Sequence, residues 1–426
     1  MKPMLGMAAR SAWNRRFALS LVVISIALST FLLLGMERVR KDMRAHFSNA
    51  VSGTDLIVGA RAGSVQLLLY SVFRIGAASN NIRWASVEAV AKHPQVAWAV
   101  PISLGDSHRG FAVVATTTEY FGRFRYGDRQ ALAFSSGQAF GKPFEAVLGA
   151  DVAASLGYKL GDRIVLAHGD GALEENDHAK NPFTVVGVLA RTGTPVDRSV
   201  HIDLPSMDAL HAEAAPAPGG PSFGPLPPNA GTAPAAAPAN SPPKSVTAVL
   251  VGLKSRAAVF SMQRWVADYR GEPLQALLPG VALDELWELV GIAERSLLAM
   301  GAMVFVVGLA GMVAVILAGL DERRRELAIL RAVGAAPRHV MALLALESAL
   351  ITLGGVLLGI VATYGVTVLA SGWAQSRFGI ALRLEPPAAG EWTVVGAMLA
   401  AGLLAGLLPG LRAYRLSLAD GLSPRI

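Results

Sequence analysis

The 426-residue chain contains no cysteine. That excludes disulfides and thiolate metal centres and leaves the redox compartment open. Charge is scarce too: 16% of residues are Asp, Glu, Lys or Arg, against 53% hydrophobic, with a mean hydropathy of +0.44. This balance excludes an ordinary soluble domain and fits a chain that is partly membrane and partly globular. A phosphate-binding loop is also missing. Its nearest approach, Gly137-Gln-Ala-Phe-Gly-Lys-Pro143, is one residue short between its glycines and has proline where Mg²⁺ needs a hydroxyl, so it is expected to be a turn. Gly105-Asp-Ser107 has the letters of a hydrolase nucleophile motif without the surrounding roles, and is set aside. The net charge of +7 does not point to nucleic acid, because many of the basic residues flank apolar runs.

Four apolar runs are long enough to cross a bilayer: Phe17–Met36, Leu297–Leu320, Val340–Ala370 and about Trp392–Leu411. The first is longer than a signal-peptide core, and Leu34-Gly-Met-Glu37 offers no small-x-small cleavage site, so it is expected to be retained. Four spans place both termini and the 321–339 segment on one side. Lys and Arg number four in the N-terminal piece, five in that segment and three in the C-terminal tail, against two in the loop after the third span. The excess predicts cytoplasmic termini. Glu37–Ala50, with Arg38, Arg40, Lys41 and Arg44, is expected to extend the first span as a stalk, and Leu283–Arg295 to form a second stalk.

Between the stalks, about Thr54–Tyr269, short β-branched runs bounded by Gly, Asp and Pro predict strands at Asp55–Val58, Val96–Val100, Phe111–Val114, Arg163–Leu166, Phe183–Leu189 and Val246–Val251. Helices are predicted at Trp84–Ala91, Ala150–Leu156 and Arg256–Tyr269, the last followed by a Pro-broken turn at Pro273 and Pro279. The expected fold is therefore four transmembrane helices plus a large extracytoplasmic α+β domain of two lobes inserted between helices 1 and 2. The division is residues 1–36, 37–296 and 297–426. A Pro/Ala/Gly-rich tract at 214–244 cannot offset its ordering entropy by burial and is expected to be a flexible surface insertion.

Asp321-Glu-Arg-Arg-Arg-Glu-Leu-Ala-Ile-Leu-Arg-Ala-Val-Gly334 is a dense charge cluster between two spans. It cannot lie in hydrocarbon, where each ionised side chain costs roughly 2.5–3.5 kcal/mol. Leu327, Leu330 and Val333 recur every three residues, Arg324 and Arg331 lie seven apart, and Gly334 suits a helix C-cap with Pro337 beyond. The spacing predicts a short amphipathic helix, either lying in the headgroups or docking on a cytoplasmic partner. Gly355-x-x-x-Gly359 and Gly402-x-x-x-Gly406-x-x-x-Gly410 predict helix-packing faces, within one bundle or between two subunits. Glu347, some eight residues into the third span with Arg338 and His339 nearby, is read as a bundle-facing structural ion-pair member.

Seven of eight histidines (His46, His93, His108, His168, His178, His201, His211) fall in the outer segment. The densest stretch, His168 to His178 with Asp177, could hold Zn²⁺, but the favoured reading is a hydrophilic hairpin loop. No metal site is assigned.

Glu322-Arg-Arg-Arg-Glu-Leu-Ala-Ile-Leu-Arg-Ala-Val-Gly-Ala335, followed by an apolar run containing Leu346-Glu-Ser348, resembles the FtsX/MacB-type ABC transporter permeases. Val147–Asp162 followed by Phe183–Leu189 is similar to the MacB-like periplasmic core domain. The resemblance spans nearly the whole chain apart from the Pro-rich tract. It implies a non-catalytic permease subunit in a bacterial inner membrane, with its large domain periplasmic and no cofactor of its own. It also implies that Glu322, Arg323, Arg324, Arg325, Glu326, Leu327, Leu330, Arg331 and Gly334 form a coupling helix seated on a cytoplasmic ABC ATPase. Unlike MacB itself, the 426 residues hold no nucleotide-binding domain, so ATP and Mg²⁺ belong to that partner chain. A homodimer acting by mechanotransmission, for export or release, is the implied assembly, with a possible extracytoplasmic protein or lipoprotein partner and no nucleic acid. A lipoprotein-releasing permease and an FtsX-like regulator of an extracytoplasmic hydrolase are alternatives within the family. An ATPase-independent membrane sensor or scaffold is the alternative of another class.

Overall fold

The computed structural model describes residues 16–50, 52–76, 80–168, 181–214, 243–322, 329, 334, 336–378 and 386–415. The chain divides into two compact units. One comprises Met43–Leu289 with Ala374–Ala381, and the other Met1–Asp42, Val290–Trp373 and Leu382–Ile426.

In chain order, helix α1 (Arg16–Asn49) runs without a break through the first apolar run and the stalk. The outer unit follows with β1 (Leu56–Ala60), α2 (Ser64–Ser71), β2 (Ile82–Arg83), α3 (Trp84–Ala91), β3 (Val96–His108), β4 (Phe111–Thr116) and α4 (Glu119–Arg123). Next come β5 (Arg125–Tyr126), β6 (Gln130–Ala131), β7 (Phe134–Gly137), β8 (Glu145–Leu148), α5 (Ala150–Leu156), β9 (Arg163–Ile164), β10 (Ala167–His168) and β11 (Phe183–Leu189). It closes with β12 (Ser199–Asp203), α6 (Leu204–Ala214), β13 (Ser245–Val246), β14 (Ala248–Leu253), α7 (Val259–Ala267) and β15 (Leu274–Leu277). Three long helices end the chain: α8 (Pro279–Glu322), α9 (Pro337–Phe378) and α10 (Ala389–Arg415).

Eleven strands form one mixed sheet, in the order β15-β1-β14-β3-β4-β12-β8-β11-β7, with β10 beside β3 and β9 beside β11. The β4–β12 and β8–β11 pairs are parallel; the other pairs along this path are antiparallel. The two expected lobes thus share a single sheet. Its strands alternate between two cores, as a period of two demands. Leu56, Val58, Val249, Val251, Val113 and Ala115 face one core, which is closed by Val87 and Val90 of α3, Val152 of α5 and Met262 and Val266 of α7. Ile57, Leu250, Val100, Val114 and Val147 face the other, closed by Leu67 and Leu68 of α2, Tyr120 and Phe121 of α4, Phe47 and Leu283.

Strand β3 runs past the expected end at Val100 and through Pro101, to His108, with a register shift between Leu104 and Ser107. The expected run Val246–Val251 breaks at Thr247, because that residue turns to other partners. Its N–H donates to the Ile102 carbonyl and its hydroxyl accepts from the Leu104 N–H. The expected strand Arg163–Leu166 stops at Ile164. The tract 215–242, most of the Pro-rich insertion, lies outside the described residues.

Among the described residues, four helices are long and apolar enough to cross a membrane: Arg16–Arg44, Pro279–Leu320, Pro337–Trp373 and Ala389–Arg412. Their buried side chains, among them Ile26, Met312, Ile316, Leu344, Val356 and Met398, form one core. Phe17, Leu21, Met303, Val307, Leu357, Val361 and Leu404 are exposed on the helices. Such faces suit hydrocarbon, where helix association comes from close packing rather than water exclusion.

Candidate functional site

The charged segment joins two of these spans. Helix α8 is described as far as Glu322, and α9 from Pro337, the first-turn position that proline's fixed φ favours. The Ala336 N–H donates to His339 Nδ1 at 3.2 Å, and the His339 N–H to the Ala336 carbonyl at 2.8 Å, so the start of α9 is closed by its own residues. Gly334 has φ +104°, the left-handed conformation of a helix C-cap that glycine adopts without a Cβ penalty. Ile329 is helical and exposed. Arg323, Arg324, Arg325, Glu326, Leu327, Leu330 and Arg331 lie outside the described residues, as does the side chain of Glu322.

Both glycine series lie on seams inside the bundle. A Cβ added at Gly355 would come within 2.6 Å of Ile26 Cγ2, and one at Gly359 within 2.7 Å of the Ala27 carbonyl, so this pair faces α1. The triple series on α10 faces α9. A Cβ at Gly402 would strike Thr352, one at Gly406 would strike Ser348, and one at Gly410 would fall 2.7 Å from Met341 Cγ. Ser348 and Thr352 are fully buried, yet each bonds a carbonyl of its own helix, Ala345 O at 2.8 Å and Ser348 O at 2.9 Å. Backbone-satisfied hydroxyls are small enough to seat against glycine. Glu347 lines a small cavity with Leu19, Val315, Ile316 and Leu344, while Arg338 and His339 are exposed.

Toward the C-terminal end of the α1 span the bundle is tied by charge. Arg40 pairs with Glu37 one turn back, and its Nε lies 3.2 Å from Glu294 Oε1 on α8. The Arg38 guanidinium sits 4.4 Å from the Tyr364 ring centroid on α9, and Arg38, Glu294 and Glu391 are all buried. The sequence showed Arg40 and Glu294 without showing that they meet, since they lie on different helices far apart in the chain.

In the outer unit the described histidines are dispersed. His93 packs against Trp265 at 4.7 Å, and His108 Nδ1 lies 2.6 Å from the Val165 carbonyl with Nε2 3.0 Å from the Tyr158 hydroxyl. No group of three or more metal-capable side chains occurs among the described residues. The loop candidates Asp177 and His178 lie outside them, and His168 is described only as the end of β10. Ser107 is buried in β3 between Asp106 and His108, closed off from any substrate. Gly137 ends β7 at φ +71°, with the Val186 carbonyl where a Cβ would sit, and no helix follows as a phosphate loop requires.

His201 is completely buried on β12, its ring 5.3 Å from that of Tyr120, and neither imidazole nitrogen has a hydrogen-bond partner. Burial, with the Arg74 cation nearby, pushes its pKa down to about 3. The Tyr120 phenol, also fully buried, is pushed up by desolvation.

Four membrane-length helices and a large sheet domain inserted after the first of them define the architecture of a membrane-protein subunit with a bulky domain outside its bundle. Comparison with known proteins identifies the type. The FtsX-like permease C-terminal family matches residues 298–418, and the MacB-like periplasmic core domain family matches residues 17–263. The chain belongs to the MacB/FtsX-type ABC permeases. Permeases of this type are generally non-catalytic membrane components and work with a cytoplasmic ABC ATPase. Among solved structures, the periplasmic region of MacB from Actinobacillus actinomycetemcomitans is similar at 11% identity and a TM-score of 0.34, covering 56% of this chain and 94% of that one. The extracellular domain of the noncanonic ABC-type transporter YknZ from Gram-positive bacteria is similar at 12% identity and a TM-score of 0.30, covering 53% and 99%. No curated protein gives a significant match. The family assignment rests on the two family matches.

Proposed function

We propose that this chain is the transmembrane subunit of an ABC transporter of the bacterial inner membrane, working as a homodimer on a separate cytoplasmic ATPase. Glu322–Gly334 is the coupling helix. Its arginines and Glu326 engage the ATPase, Leu327, Leu330 and Val333 seat it, and Gly334 turns the chain into α9. Both termini share that cytoplasmic side, and the sheet domain is periplasmic. ATP and Mg²⁺ act in the partner.

The observation that carries this reading is the position of the charged segment between two membrane-length helices of the permease family region. Movement at the coupling helix would pass along α8, a single helix of 44 residues that contributes to both units, as α1 also does. Glycine seams and buried, satisfied hydroxyls fit a bundle that shifts as a body, in keeping with mechanotransmission rather than a polar pore. Export, or release of an extracytoplasmic protein or lipoprotein, is the work it performs.

Co-purification tests the coupling. A nucleotide-binding subunit should accompany the intact chain from detergent and be lost when Arg324→Glu, Arg325→Glu and Glu326→Arg are combined. Failure to recover such a subunit with the intact chain, or its retention by the triple variant, would overturn the proposal.

A further inference from the structure

Arg74 follows α2 in the outer unit and is one of few non-glycine residues there with a left-handed backbone, φ +60°. That conformation is strained for a residue with a Cβ and persists where surroundings over-determine it. The side chain turns inward. Its Nε and Nη1 are buried without a hydrogen-bond partner, as are both nitrogens of His201, and the buried Tyr120 phenol lies beside the guanidinium. No carboxylate pairs with Arg74 among the described residues. A guanidinium cannot shed its proton, and a buried unpaired cation is strongly unfavourable.

Arg74 also lines a small, partly open cavity with Thr54, Ile57, Ser71, Phe124 and Leu250. The cavity leaves about 10 Å³ for the centre of a water-sized particle, and no acidic side chain lines it. One small particle fills such a space, whereas phosphate, sulfate or a carboxylate-bearing ligand does not fit. A water molecule would accept a hydrogen bond but bring no charge. The Ser71 hydroxyl spends its proton on the Leu67 carbonyl, and no side chain in the wall carries a negative charge.

We infer that this cavity is a monoatomic anion site of the chloride class, in which the ion neutralises Arg74 and pins the end of α2 to the sheet. The surplus of donors over acceptors and the lack of a carboxylate select an anion; the size selects a halide. The site is independent of the ATPase coupling proposed above.

The test uses the full chain in detergent, melted by tryptophan fluorescence in sodium chloride or sodium gluconate at equal ionic strength. Chloride should raise the outer-unit transition saturably, by about 5 °C at a hundredfold excess over Kd. Arg74→Gln should abolish the chloride-specific rise, and Tyr120→Phe should weaken the apparent affinity about tenfold. Crystals grown in bromide should show anomalous density beside Arg74. Equal melting in the two salts, the same response in Arg74→Gln, or a cavity without bromide density would overturn the proposal and leave a water only. Should Arg74→Gln fail to fold, Tyr120→Phe and the bromide map decide.

Discussion

A Cβ placed on Gly406 of α10 runs into Ser348 Oγ of α9, with the Ala345 Cα only 3.1 Å away. The two helices meet backbone to backbone at that level, and no other residue type fits. Gly406→Val is therefore expected to destabilise the bundle by about 1–3 kcal/mol, the usual cost of overpacking a tight interior. Gly396→Val on the same helix meets nothing within 4 Å and serves as the control. Thermal unfolding in detergent, followed by loss of the monodisperse peak, should separate the two.

Arg40 and Glu294 bring α1 and α8 together by charge at 3.2 Å. Arg40 keeps about a third of its side-chain exposure, so solvent screens the pair and its coupling is expected at about 1 kcal/mol. A double-mutant cycle with Arg40→Gln and Glu294→Gln measures it. Additive losses would show that the pair does not link the helices.

His201 predicts acid lability of the outer unit. Its pKa falls from 6.5 in the unfolded chain to about 3 in the fold, so between those values the unfolded state binds the extra proton. Stability is complete above pH 6.5 and is lost as pH falls toward 3, at about 1.4 kcal/mol per unit from this group. His201→Leu removes two unpaired buried nitrogens and should unfold in urea with a flatter pH dependence between 6.5 and 4. A slope identical to that of the unsubstituted protein would contradict the assignment.

The long apolar helices and strands β1, β3, β4, β9, β11 and β14 were legible in the sequence because they rest on local signals, long apolar runs or β-branched runs cut by Gly and Asp, whereas β7, β8 and β12 of the same sheet were not foreseen. Trp84–Ala91 and Ala150–Leu156 are helical over the expected residues. Strand β15 was not foreseen, because Leu274-Gln-Ala-Leu277 carries no β-branched residue and becomes a strand only by pairing with β1. The continuation of β3 through Pro101 was hidden for the opposite reason, a local strand-breaking signal overridden by pairing with β4 and β14. Glycine spacing showed that packing faces exist, but not that Gly355 and Gly359 meet α1 while Gly402, Gly406 and Gly410 meet α9. The Arg40–Glu294 tie and the Arg74 cavity join residues distant in sequence, so only the fold displays them.

The most direct test of the coupling account exploits the absence of cysteine. Ile329, helical and 52% exposed within the charged segment, can be replaced as Ile329→Cys to give a chain with a single thiol. In intact cells this thiol should resist a membrane-impermeant maleimide, and in inverted vesicles a short bifunctional reagent should join it to a nucleotide-binding chain. Labelling from outside the cell, or no adduct to a nucleotide-binding chain in inverted vesicles, would contradict the account.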